Sequence, residues 1–76
     1  MELELNNLIV ERDNQIRNMR HFELVMSMLE STINRLGETS IRSQQYIQAL
    51  NYFGQIYDDM YLDLQEIERR INFIHD

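Results

Sequence analysis

Five carboxylates, Asp58, Asp59, Asp63, Glu66 and Glu68, fall between Ser43 and Glu68 with no basic residue among them. Asp59, Asp63 and Glu66 follow i, i+4, i+7, which places all three on one face of a helix. Such a trio suits three kinds of chemistry. It can be a solvated face that keeps the protein soluble, the commonest use of a charge block. It can imitate a row of phosphates and compete for the Arg and Lys of a nucleic-acid-binding groove on another protein. It can also hold a metal ion, which is the weakest of the three: there is no Glu-x-x-His pair, and neither His21 nor His75 stands at helical spacing from the trio.

Aromatic residues crowd the same stretch. Tyr46, Tyr52, Phe53, Tyr57 and Tyr61 lie close together in sequence. A surface tyrosine beside carboxylates is a good protein contact, because it buries area with few torsions to freeze. Tyr52, Asp59, Tyr61, Asp63 and Glu66 are therefore the candidate partner-binding residues. No catalytic site is expected. The chain has no Cys, which removes disulfides, thiol catalysis and Cys-ligated metals. It has no Lys, so phosphate-loop and Schiff-base lysines are absent too. No triad or paired acid/base site is visible. Neither a cofactor nor a metal is expected. Arg12, Arg17 and Arg20, with Arg69 and Arg70, could form a local basic patch, and RNA contact is a minor alternative. The net charge of −6 argues against duplex DNA as a partner, since affinity for DNA comes mainly from neutralising phosphates.

Hydrophobic spacing indicates what must carry these residues. In the first half a seven-residue repeat places Leu5, Arg12, Met19, Met26 and Ile33 at a, and Leu8, Gln15, Phe22, Leu29 and Leu36 at d. In the second half the a positions are Ser43, Leu50, Tyr57, Leu64 and Ile71, and the d positions are Tyr46, Phe53, Met60, Ile67 and Ile74. Repeats sustained this long predict packed helices. The two frames do not join, and the slip falls at Leu36-Gly37-Glu38-Thr39-Ser40. Gly37 suits the residue just past a helix end, and Thr39 or Ser40 can cap the next helix. The expected fold is all-α: an antiparallel, coiled-coil-like two-helix hairpin in one domain, residues 1–76. Helix one spans about 2–36, the turn 37–40 and helix two about 40–75.

Antiparallel pairing of a with d sets Leu5 with Ile74, Leu8 with Ile71, Met19 with Met60, Phe22 with Tyr57 and Met26 with Phe53. Arg12 would then lie opposite Ile67, with Asp63 and Glu68 in reach of its guanidinium. Apolar residues also occupy e and g positions. Ile9, Ile16, Val25, Ile47, Gly54 and Ile56 are candidates for a dimer interface, with Ala49 and Tyr61 beside them. One partner helix cannot cover so wide an apolar set. A chain of 76 residues without staples is marginal alone. A homodimer forming a four-helix bundle is the simplest remedy.

The apolar runs are far too short for a membrane span, and the acidic start differs from a secretory leader. The expected location is the cytoplasm, or that of a host cell if the protein is viral. The expected function is non-enzymatic: a self-associating helical hairpin that docks on another protein. The alternative is a small acidic inhibitor of phage or mobile-element type that occupies a nucleic-acid-binding groove of a host protein.

Overall fold

Every buried residue among those described stands at an a or d position: Leu8, Met19, Ile33, Ser43, Ile67 and Ile71. The structure, a computed structural model, describes residues 2–37 and 39–75. Two helices, α1 (Glu2–Leu36) and α2 (Ile41–His75), account for almost all of it, and no strand occurs among the described residues. They run antiparallel and pack side by side as a rod of 55 × 15 × 13 Å.

Helix ends explain the reversal. Gly37 adopts φ +87°, a conformation in which a Cβ would clash. Its N–H donates to the Ile33 carbonyl at 2.9 Å, closing α1 with a left-handed cap. Glu38 lies outside the described residues. Ser40 takes the capping role at the start of α2: its Oγ accepts the Ser43 N–H at 3.0 Å, and its carbonyl accepts the Gln44 N–H at 3.1 Å. Charges suit the dipole of α1, with Glu2 and Glu4 in the first turn and Arg35 in the last. The first turn of α2 contains no acid and carries Arg42, the less favourable sign at that end.

Between the helices, Leu8 packs on Ile67 and Ile71, joined by Leu5, Ile9 and Ile74. The Phe22 ring meets Phe53 edge-on, with centroids 5.8 Å apart. This contact lies one turn nearer the connection than Tyr57, the residue expected opposite Phe22. A d-position knob sits in a hole bounded by residues one turn apart, so its neighbours include the residue a turn nearer the connection. The Tyr57 hydroxyl instead donates to Glu23 Oε1 at 2.7 Å.

The two polar interruptions of the stripe resolve differently. Gln15 stays between the helices and donates its amide to the Met60 carbonyl across the interface at 2.9 Å. A half-buried amide needs such a partner. Arg12 does not reach Asp63 or Glu68; its guanidinium pairs with the adjacent Asp13 at 3.2 Å. That carboxylate is available without crossing the core.

Candidate interaction surfaces

In an antiparallel pair the e positions of both helices line one flank, and the g positions line the other. The candidate interface residues therefore divide. Ile9, Ile16, Ile47 and Gly54 stand on the e flank, together with Tyr61. Val25 and Ile56 stand on the g flank with Ala49. The helices thus present two narrower apolar strips on opposite faces of the rod.

The strips differ in charge. On the e flank the apolar residues are interspersed with Asp13, Arg20, Glu23, Glu30, Asp58 and Glu68 at e and b positions. The bond from Tyr57 ties the Glu23 carboxylate to this side and raises the Tyr57 pKa, chiefly through that hydrogen bond. On the g flank no Asp, Glu or Arg occupies a g or c position from Asn18 to Thr32 of α1 or from Gln45 to Ile56 of α2. Large apolar surface is exposed there: Val25 is 42% exposed, Met28 61% and Tyr52 62%. An open hollow between the helices is lined by His21, Phe22, Val25 and Phe53. Tyr52 leans edge-on against Phe53 at 6.1 Å.

Met28 and Leu24 are exposed apolar residues that periodicity had not marked, because they lie at c and f, outside the positions a hairpin must bury. In the sequence only Met28 is distinguished, by its place within the uncharged run of g and c positions; Leu24 has Arg20 and Glu23 beside it.

The structure places all five candidate partner-binding residues on the surface. Tyr52, Asp59 and Glu66 fall in one line at c positions, with Asp63 beside them at g. Tyr61 is separated from these four and lies on the e flank. The acidic line is also shorter in charge than it is in sequence. Glu66 accepts from Arg69 at 2.6 and 2.9 Å and pairs with Arg70 at 3.4 Å. The hydrogen bonds from Arg69 hold its carboxyl at about 2, against an ordinary 4.5. Asp59 and Asp63 form no ion pair among the described residues. Downstream, Glu4, Arg69, Arg70, Phe73 and Ile74 line an open hollow near the chain ends. The side chain of His75 lies outside the described residues.

Among the described residues no three His, Asp or Glu side chains are grouped so that they could hold a metal ion. No helix among them is long and apolar enough to cross a membrane. Comparison with known protein families, curated proteins and solved structures found no match.

Proposed function

We propose that this protein is a non-enzymatic interaction module: a helical hairpin that self-associates into a four-helix bundle and docks on another protein through the faces left open. Surface area is the observation that carries this reading. The hairpin exposes 6076 Å², whereas a compact monomer of its 9.3 kDa exposes about 5,000 Å². The excess, roughly 1,100 Å², is comparable with the ~800 Å² each partner contributes to a stable interface. The hydrophobic core supports the same reading. It consists of Leu8, Met19, Ile33, Ile67 and Ile71, while exposed large apolar residues are more numerous. A chain with so small a core gains stability by burying more of its apolar surface against a partner.

The nucleic-acid mimic receives less support. A phosphate-like row needs free charge, and Glu66 is already neutralised by Arg69 and Arg70.

Sedimentation equilibrium over a wide concentration range tests the self-association. The expected mass is that of two chains. A monomer that keeps full helicity at every concentration would refute the reading.

A further inference from the structure

We infer that the g flank near the turn is the seat of a second copy of this chain, with the two rods opposed about a twofold axis that passes between Val25 and Tyr52. The inference rests on the proposed self-association and adds the surface, the direction and the register. Three observations carry it.

The first is the charge gap. Val25, Met28, Ala49, Tyr52, Phe53 and Ile56 share a strip without Asp, Glu or Arg, and the e flank has no comparable strip. Desolvating an unpaired charge is costly, so the uncharged flank is the one a second copy can cover.

The second is charge complementarity at the ends of that strip. Arg35 and Arg42 bound it on the turn side, whereas Glu11, Asp59 and Asp63 bound it on the other. Arg42 and Asp63 stand almost equally far from Tyr52 in opposite directions, roughly 15 Å at ~1.5 Å per residue. With opposed rods centred on Val25 and Tyr52, helix α1 lies on α1 and α2 on α2. Arg42 of each copy then meets Asp63 of the other, and Arg35 approaches Glu11. The alternative twofold axis, along the rods, lays α1 on α2 at equal height. It brings Arg35 of each copy onto Arg42 of the other, two like-charge contacts at the turn end, whereas at the far end Glu11 meets a mixed set in which Arg70 stands beside Asp63 and Glu66. The contacts at the turn end disfavour that assembly.

The third is Arg42 itself. It sits in the first turn of α2, where the helix dipole disfavours a cation, and it has no ion-pair partner among the described residues. A carboxylate from a second copy would satisfy a charge that the single hairpin leaves in an unfavourable place.

The test uses the full chain. Arg42→Glu and Asp63→Arg should each raise the dimer dissociation constant about tenfold. Mixing the two variants, or combining both changes in one chain, should restore it, because each contact then regains opposite charges. Because the chain has no Cys, Val25→Cys should form a disulfide-linked dimer under mild oxidation, and Ile16→Cys should not. Helicity by circular dichroism checks that each variant folds. A dimer that links through Ile16→Cys and not through Val25→Cys would overturn the flank while leaving self-association standing. Charge variants without mutual rescue would overturn the opposed register. A wild-type chain that is monomeric throughout would remove the proposed self-association, and this inference with it.

Discussion

Ser43 is the only fully buried polar side chain among the described residues, and its Oγ has no hydrogen-bond partner. A buried hydroxyl without a partner lowers stability. A small residue suits this a position close to the turn, and alanine keeps the size while removing the orphan. Ser43→Ala should therefore raise stability by about 1 kcal/mol, measured by urea denaturation. Glu66 behaves differently, because its interactions are all at the surface. A carboxyl lowered to about 2 in the folded chain favours folding above pH 4.5, and this contribution is lost as the pH falls toward 2. Far-UV circular dichroism at low salt should show helicity declining across that window. In Glu66→Gln that part of the decline should vanish, and added salt should weaken it in the wild type, since exposed pairs are screened.

At the scale of the helices, Gly54 is an element-interior glycine with nothing within 4 Å of where a Cβ would stand. Glycine there costs about 1 kcal/mol relative to alanine. Gly54→Ala should raise the melting temperature by roughly 4–8 °C, the usual response of a domain this size to such a change. Because Gly54 lies on the e flank, dimer affinity should stay the same; a loss of affinity would mean that another backbone approaches it. The two helices were legible from the heptad spacing, and the break from the frame slip together with Gly37. What periodicity did not show was the fate of the interruptions. Arg12 and Gln15 are both polar residues on the apolar stripe. A long guanidinium can turn back to a neighbouring carboxylate, while a shorter amide stays between the helices and must find a backbone acceptor.

At the scale of the molecule, the slender rod is held by one seam, so folding and assembly should be coupled. Ligand-like linkage makes the melting temperature of a dimer depend on its concentration. Tenfold dilution should lower the midpoint measurably, whereas a self-sufficient monomer would melt at the same temperature at every concentration. The same elongation places charge unevenly. Most acids lie toward the chain ends, and the turn-proximal part of the g flank is almost free of charge.

The sequence by itself determined that the chain is helical, where the seam runs and where the chain reverses. Those properties follow from local rules: the period of an α-helix, the conformational freedom of Gly37 and the capping chemistry of Ser40. Only the tertiary structure decided which surface residues become neighbours. Whether e and g strips join or lie on opposite flanks depends on the direction in which the second helix returns, and that also sets which carboxylates remain free. Glu66 reads as part of an acidic row in the sequence, yet in the folded chain Arg69 and Arg70 turn back upon it.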